Sequence, residues 1–488
     1  MVNLLIIRPL DNDEAVELLQ AEALSLKRPI LLAPSYPGGS TDNVEAFPLF
    51  VHRIAFIWPM SKESKTREEY ETLAHLVHVA VLAATAVLLF LILQPSYGPR
   101  WAAAGSLLWS TSSYVLLLNQ ILTRNTWSPF WLALAFLAAL RGWQLRSTPR
   151  VWLWWALILP VSLFFGIWSY TLFKAATFAL FGAVAWQCLR ARDWRSLAPL
   201  AAGGALLVLA LVGFVLYSGL EPEVYLSRGN YAFGSTPNYW KNFLRCVLMT
   251  FWWFKGDGTF LTEGVHDSVH LPLLPYLLAP FFVSGIAAAI FTREFTLRLA
   301  AGTIALALPF LAVAGPNLKY PYGLTPLMFV VVIGGAHTLV EICQRRTPVL
   351  YRVGKFAAPV LAAAYVALSA YQIGWVYADE RKAPYSWEAE VFAKSAATLV
   401  DSGGAPIWIF IYNGFDVFRW KLIPWERYQP RIRVFFIWEE VQQALEQESD
   451  LPRTILCRRG LNAQNPQTQK LLESRRYDPL EAGPSTRP

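Results

Sequence analysis

The chain has 488 residues, of which 55% are hydrophobic and only 16% charged, whereas roughly a quarter of the residues in soluble domains are charged. With a mean hydropathy of +0.36, these values exclude soluble, disordered, collagen-like and disulfide-scaffold classes and predict an integral membrane protein. The net charge is +8, but the basic residues form short clusters between apolar runs, which argues against nucleic acid binding and is typical of membrane proteins.

Residues 1–72 precede the first long apolar run, and a cluster of acids begins at Asp11. Asp11-Asn12-Asp13-Glu14 is followed by AVELLQAEALSL, which has the pattern of a helix. Acids at the start of a helix accept amide hydrogen bonds and complement the helix dipole, so capping explains the cluster. A carboxylate base at the membrane surface is the functional alternative, and the two roles can belong to different residues of the cluster.

Ten apolar runs approach the roughly 20 residues needed to cross a bilayer. They cover 73–93, 101–119, 127–143, 151–166, 170–189, 197–219, 271–291, 299–314, 321–342 and 355–376. We therefore predict a polytopic α-helical transmembrane domain over residues 73–377, with a large loop at 220–270. The apolar stretch 243–254 within that loop is broken by Arg245 and too short to span, so it is expected to form an interfacial or re-entrant helix.

The basic residues between the runs predict the orientation. If residues 1–72 lie outside, the loops on the cytoplasmic side hold 13 basic residues: Arg100, Arg141, Arg146, Arg150, Arg190, Arg192, Arg195, Arg293, Arg298, Arg345, Arg346, Arg352 and Lys355. The short external loops hold only Arg124, Lys174 and Lys319. The positive-inside rule thus places residues 1–72, the 220–270 loop and the C-terminal tail outside the cytoplasm of a plasma or inner membrane protein.

The first ten residues, MVNLLIIRPL, resemble neither a signal peptide nor a spanning helix. Because export of residues 1–72 needs such a segment, we expect a further transmembrane helix to precede this sequence.

The tail, residues 378–488, changes character to that of a small α/β domain. Strand-like runs occur at 407–412, 431–437 and 454–457, and helical patterns lie at 387–401, 438–449 and 465–475. This alternation predicts a soluble extracytoplasmic domain of the α/β class.

The sequence contains no GxGxxG, GxxxxGK[ST], HExxH or GxSxG motif, so dinucleotide enzymes and ATP-driven pumps are disfavoured. The three external cations are costly at membrane depth and need a partner, for which a lipid phosphate is one candidate and snorkelling to the headgroups is the alternative. His266 and His270 are four apart and could hold a divalent metal ion, or be solvated loop histidines. His75 and His78 are interpreted as interfacial side chains.

Several segments, taken in order, resemble the GT-C superfamily of polytopic glycosyltransferases. Within it the chain is most similar to the protein mannosyltransferase and aminoarabinose transferase (RgtA/B/C/D-like) group. The segments are the Asp13-Glu14 helix, FPLFVHRIAFIW (47–58), LTRNTWSPFWLALAFLAALRGWQLR (122–146), GIWSYTLFKAATFAL (166–180), GDGTFLTEGVHDSVHLPLL (256–274) and PNLKYPYGLTPLMFVVVIGG (316–335).

This resemblance implies an inverting hexosyltransferase that uses a polyprenyl-phosphate-linked sugar and an acceptor hydroxyl on protein, lipid or glycan. It implies that Asp13 is the base and that Glu14 binds acceptor or metal. Arg124, Lys174 and Lys319 would face the donor phosphate, and His52 would contact the acceptor. In some relatives a second carboxylate occurs near Arg124, where this chain has Asn125 and Thr126.

Two other classes fit the apolar pattern. A lipid or solute transporter would also have many spans and membrane-depth cations, but it would often show paired repeats, which this sequence lacks. A non-catalytic scaffold in envelope assembly would leave the Asp13 carboxylate facing away from any cavity.

Overall fold

The computed structural model divides the chain into two compact units. The helical unit comprises Leu24–Trp58 and Ala74–Ala378, and the tail unit comprises Met1–Ala23, Pro59–Leu73 and Asp379–Pro488. The residues that the structure describes are 12–24, 47–57, 66–120, 122, 124–170, 173–218, 239–240, 243–244, 247, 274, 276–292, 294–313, 321–347, 360–371, 373, 384–403, 407–411, 415–422, 425–447, 454–458 and 478–482.

Helices account for the described part of the helical unit. Two of the helices before residue 379 belong in whole or in part to the tail unit: α1 lies entirely within it, and α3 begins in it. In chain order the helices are α1 (Asn12–Ala23), α2 (Phe47–Ile57), α3 (Arg67–Tyr97), α4 (Pro99–Ser110), α5 (Ser113–Gln120), α6 (Ser128–Gln144), α7 (Leu159–Ser169), α8 (Phe173–Arg190), α9 (Trp194–Ser218), α10 (Ala279–Phe291), α11 (Phe295–Val313), α12 (Thr325–Arg346) and α13 (Val360–Tyr371). Short 3-10 turns at Arg124–Trp127 and Pro321–Leu324 lead into α6 and α12.

Each predicted apolar run falls on one or more of these helices. By length and composition, three helical stretches within the described residues are suited to crossing a membrane: Arg67–Tyr97, Trp194–Leu216 and Pro321–Arg346. The bent pair α10 and α11 would add a fourth if it forms one span. The apolar helices indicate an integral membrane protein, and the count of about ten spans stays a prediction.

The run predicted at 101–119 is interrupted. Helix α4 ends at Ser110, and α5 begins at Ser113. The Thr111 hydroxyl donates to the Leu107 carbonyl over 2.7 Å, and such Ser and Thr bonds to the backbone compete with continuation of a helix. The local Thr-Ser-Ser sequence therefore divides this apolar segment.

Close helix contacts in the helical unit depend on glycine. A Cβ added to Gly335 of α12 would collide with the Phe281 carbonyl of α10, and one added to Gly285 would collide with the Val331 carbonyl. Small residues let two backbones approach in this way within apolar bundles. These two helices pack with their backbones in direct contact.

The tail unit combines α1 and the start of α3 with the elements after Asp379. These elements are α14 (Pro384–Asp401), β1 (Ile407–Phe410), α15 (Phe415–Lys421), α16 (Trp425–Tyr428), β2 (Ile432–Phe435), α17 (Trp438–Gln447), β3 (Thr454–Arg458) and β4 (Asp478–Ala482). The predicted strands at 407–412, 431–437 and 454–457 overlap β1, β2 and β3. The predicted helix at 465–475 lies outside the described residues.

The strands form one parallel sheet in the order β2-β1-β3-β4. Ile407 pairs with Ile432 on one side and with Thr454 on the other. All four residues of β1 are buried, as expected for a central strand covered on both faces. Helix α14 buries a stripe at helical spacing, formed by Ala389, Phe392, Ala393, Ala396 and Val400.

Candidate functional site

Helix α1 carries the predicted catalytic acids in its first turn. Asp13 is helical in backbone, and its side chain lies outside the described residues. Glu14 is buried, with 2% of its surface exposed. A carboxylate that only complements the helix dipole has no need of burial. Burial therefore gives Glu14 an environment that helix capping alone does not explain.

Helix α1 is buried on more than one face. Ala15 and Leu18 supply its apolar core contacts, but Glu17 and Gln20 are also buried. Within the tail unit α1 packs against α15. Helix α1 therefore buries polar as well as apolar side chains.

In the helical unit, the turn Arg124–Trp127 is buried throughout. Arg124 is 6% exposed, and the next residues Asn125 and Thr126 are 4% exposed each. The Ser128 hydroxyl donates to the side-chain oxygen Oδ1 of Asn125 over 3.3 Å. A snorkelling side chain would reach solvent or headgroups, so the burial of Arg124 disagrees with that alternative. The turn instead presents a guanidinium and short polar side chains inside the unit.

His52 of α2 lies beside this turn. Its ring stacks on that of His78 of α3, with centroids 5.1 Å apart, and His78 Nδ1 lies 3.1 Å from the Thr126 hydroxyl. His52 is 1% exposed, and neither of its ring nitrogens has a hydrogen-bond partner in the described part of the chain. Burial, with a smaller contribution from His75, lowers the pKa of His52 to about 3. The ring is therefore neutral at pH 7.

Aromatic side chains enclose the same region. Phe47, in the first turn of α2, lies 5.7 Å from the Trp127 ring centroid and 4.9 Å from that of Phe165 in α7. Trp131 and Trp168 complete its ring contacts at 5.4 Å and 5.6 Å. These edge-on and tilted contacts fix α2 against α6 and α7 and surround the polar turn with apolar material.

The two 3-10 turns that lead into α6 and α12 are in contact within this unit. The Arg124–Trp127 turn contacts the Pro321–Leu324 turn, which begins two residues after Lys319, and the latter turn also contacts α8. Lys174 is the second residue of α8 and is half-buried. Lys319 itself lies outside the described residues. The described turns before α6 and α12 are therefore neighbours, and the second of them contacts α8, the helix that carries Lys174.

The predicted metal ligands cannot be compared with the structure, because His266 and His270 lie outside the described residues. Among the residues that are described, no three His, Cys, Asp or Glu side chains are arranged to hold a metal ion. A divalent metal at His266 and His270 stays a prediction.

The sequence pattern did not reveal the role of His78. It was interpreted as an interfacial side chain at the start of a span, and the structure places it 1% exposed between His52 and Thr126. Helix α3 begins at Arg67, so His78 lies about three turns inside the helix, and the interpretation of His75 and His78 as interfacial side chains stays a prediction. The pairing with His52 is a long-range contact, which spacing along the chain cannot indicate.

No family model and no curated protein matches this sequence. Solved structures do match it. ArnT from Cupriavidus metallidurans bound to undecaprenyl phosphate aligns with 91% of this chain and 85% of its own, with 14% identity and a TM-score of 0.54. The same protein in the apo state aligns with 88% and 82%, with 13% identity and a TM-score of 0.51.

A third match is the oligosaccharyltransferase AglB from Archaeoglobus fulgidus, in complex with an inhibitory peptide and a dolichol-phosphate. It aligns with 84% of this chain, with 14% identity and a TM-score of 0.47, and this chain spans only 60% of its length. The structural neighbours are GT-C proteins, as the order of the sequence segments predicted. At these identities the likeness to ArnT establishes a shared fold.

Proposed function

We propose that this protein is a membrane glycosyltransferase of the GT-C type, which moves a sugar from a polyprenyl-phosphate donor to an acceptor hydroxyl. The observation that carries the proposal is the shared fold with ArnT, a protein crystallised with undecaprenyl phosphate, over 91% of this chain. The buried polar turn at Arg124 supports it further, since a guanidinium can bind a phosphate through two parallel hydrogen bonds.

In the proposed reaction, the acceptor hydroxyl oxygen attacks the anomeric carbon of the donor sugar. The bond between that carbon and the phosphate oxygen breaks, and the lipid phosphate leaves. Asp13 takes the hydroxyl proton, and Arg124, Lys174 and Lys319 stabilise the charge on the departing phosphate. One direct displacement inverts the anomeric configuration.

Glu14 of the tail unit and His52 of the helical unit each have a further proposed role. Glu14, which is buried and follows Asp13 in the sequence, would bind the acceptor or a metal ion. Because His52 is neutral at pH 7, it would add no charge to the phosphate site. In the described part of the chain neither ring nitrogen has a partner, and one donor with one acceptor suits a hydroxyl group of the acceptor, which can both donate and accept.

The proposal places the chemistry on the outer face of the membrane. The distribution of basic residues assigns residues 1–72, the 220–270 loop and the domain 378–488 to that side. A polyprenyl-linked donor suits this location, because the lipid carries the activated sugar in the leaflet where the acceptor is found.

Replacing Asp13 by asparagine tests the catalytic assignment. Asparagine caps a helix about as well as aspartate but cannot accept the proton, so sugar transfer should fall by roughly 10²–10⁴-fold while the fold persists. Transfer from a polyprenyl-phosphate donor in detergent and the melting temperature would be measured together.

Asp193→Asn is the matched control. Asp193 caps α9 by accepting from the Ser196 amide and hydroxyl over 3.3 Å and 2.6 Å. This variant should retain both transfer and stability. If Asp13→Asn behaves like Asp193→Asn, then Asp13 is a cap and the base lies elsewhere.

A further inference from the structure

The first turns of α3 are fixed by a reciprocal cap. The Glu69 amide donates to the Thr66 hydroxyl over 3.2 Å, and the Thr66 amide donates to Glu69 Oε2 over 2.9 Å. This capping box sets where the helix starts. Arg67 and Glu71 then follow four residues apart, so both project from the same side of α3.

Arg67 connects α3 to two distant segments of the tail unit. Its guanidinium forms an ion pair with Glu22, in the last turn of α1, over 2.7 Å. The same guanidinium lies 4.0 Å from the centroid of the Trp420 ring of α15. The Arg67 side chain is 8% exposed and Trp420 is fully buried, so the cation–π contact is shielded from solvent. The Glu22 side chain is 37% exposed, so the ion pair is partly open to solvent.

Glu71 connects α3 to α15 through two donors. The Trp420 indole N–H donates to Glu71 Oε1 over 2.7 Å, and Lys421 Nζ lies 2.6 Å from the same oxygen. Trp420 is fully buried, and the Lys421 and Glu71 side chains are 11% and 16% exposed. Two acids and two bases are present, so the cluster of Glu22, Arg67, Glu71, Trp420 and Lys421 is balanced in charge.

We propose that this cluster, which we call the α1 clamp, is a positioning device for the catalytic acids at the other end of α1. The inference rests on the proposed function, in which Asp13 is the base. Helix α1 has 12 residues, a length at which isolated helices are marginal in water, so tertiary contacts set its stability and position. Glu22 lies nine residues from Asp13, or about 14 Å along a helix.

The clamp residues do not need to touch substrate to influence the reaction. A helix transmits a displacement of its last turn to its first turn, and a misplacement of about 1 Å at a reacting group can lower the rate roughly 10²-fold. Loosening the clamp should therefore reduce the rate of the chemical step while the donor is bound as before. The C-terminal domain would act on catalysis through Trp420 and Lys421.

Lys421→Met and Glu71→Gln test the clamp in the full-length protein in detergent. Methionine keeps an apolar stem without the ammonium, and glutamine keeps an oxygen that can accept the Trp420 N–H. Arg427→Met is the matched control, because Arg427 pairs with Asp401 over 3.1 Å on the exposed surface of the same unit, outside the clamp. Hydrogen exchange of the α1 amides, kcat, and the KM for a polyprenyl-phosphate sugar would be measured for each variant.

Both clamp variants should show faster exchange in α1 and a kcat lower by roughly 10-fold or more, with an unchanged KM for the donor. Arg427→Met should match the wild type in all three quantities. In an Asp13→Asn background, the clamp substitutions should cause no further loss of kcat, because a base that is absent cannot be misplaced.

Unchanged α1 exchange in the clamp variants of an active enzyme would overturn the clamp while leaving the transferase function standing. The clamp would also be overturned if a clamp substitution lowered kcat by the same factor in the Asp13→Asn background as in the wild type. Absence of transfer by the wild-type protein would instead refute the proposed function, and with it the catalytic role of the clamp. Melting temperatures separate either result from general unfolding.

Discussion

Arg124 is the residue whose surroundings most directly favour phosphate binding. It is buried in a turn followed by Asn125 and Thr126, in a segment where the sequence has few other cations. Arg124→Lys keeps the charge but loses the forked pair of donors. We expect the KM for a polyprenyl-phosphate donor to rise roughly 10-fold, because a bidentate contact to phosphate becomes a single one.

Arg146→Lys is the control for that substitution. Arg146 lies over the Trp143 ring at 4.3 Å and within 3.6 Å of Asp193, in a loop assigned to the cytoplasmic side. Donor KM should not change in this variant. If it rises equally in both variants, Arg124 has no specific role towards the donor.

His52 predicts a dependence of stability on pH. Its pKa is lowered to about 3 in the folded protein, against about 6.5 in an unfolded chain. Between these values the unfolded state binds a proton that the folded state does not, so stability falls as the pH drops below 6.5. The slope from this group is at most about 1.4 kcal/mol per pH unit.

The melting temperature of His52→Gln should therefore fall less than that of the wild type between pH 7.5 and pH 5. His75 and His78 are the other titratable groups that face His52, and they remain in the variant. Equal losses in the His52 variant and the wild type would show that His52 is already hydrated or paired in solution.

At the scale of elements, the sequence pattern predicted most helices, since a long apolar run has few alternatives to a buried or membrane helix. It did not predict the interruption at Thr111, because side-chain bonds to the backbone are local features within an otherwise apolar stretch. Strands β1 to β3 were predicted from their β-branched and aromatic runs. Strand β4, at Asp478–Ala482, has no such run and was missed.

Only part of the candidate site could be predicted from the sequence, because some of its contacts join residues that are far apart in the chain. Arg124 stands out because cations are unusual in the external turns of an apolar chain, whereas Asp13 and Glu14 were singled out by the resemblance to GT-C glycosyltransferases. His78 and the α1 clamp depend on contacts between residues far apart in sequence, such as Trp420 with Glu71. A single sequence carries no signal for pairings of that kind.

At the scale of the whole molecule, the tail forms one compact unit with Met1–Ala23 and Pro59–Leu73. These segments are far apart in the chain, and composition does not indicate that they belong together.

The proposed topology can be tested with single cysteines at two exposed positions, Ser147→Cys and Ser402→Cys, in a cysteine-free background. A membrane-impermeant maleimide applied to intact cells should label Ser402→Cys and leave Ser147→Cys unlabelled. The reverse pattern would contradict the orientation and the side on which each proposed site residue lies.

The central claim is that the protein transfers sugar from a polyprenyl-phosphate donor. The most direct measurement reconstitutes the purified wild-type protein in liposomes with a radiolabelled polyprenyl-phosphate sugar and an extract of cell-envelope acceptors, and follows release of the lipid phosphate together with the label. The account predicts that label moves from the lipid to an acceptor and that Asp13→Asn abolishes most of this transfer. Movement of intact donor lipid between leaflets, with no label transferred by the wild-type protein, would contradict it and identify a transporter instead.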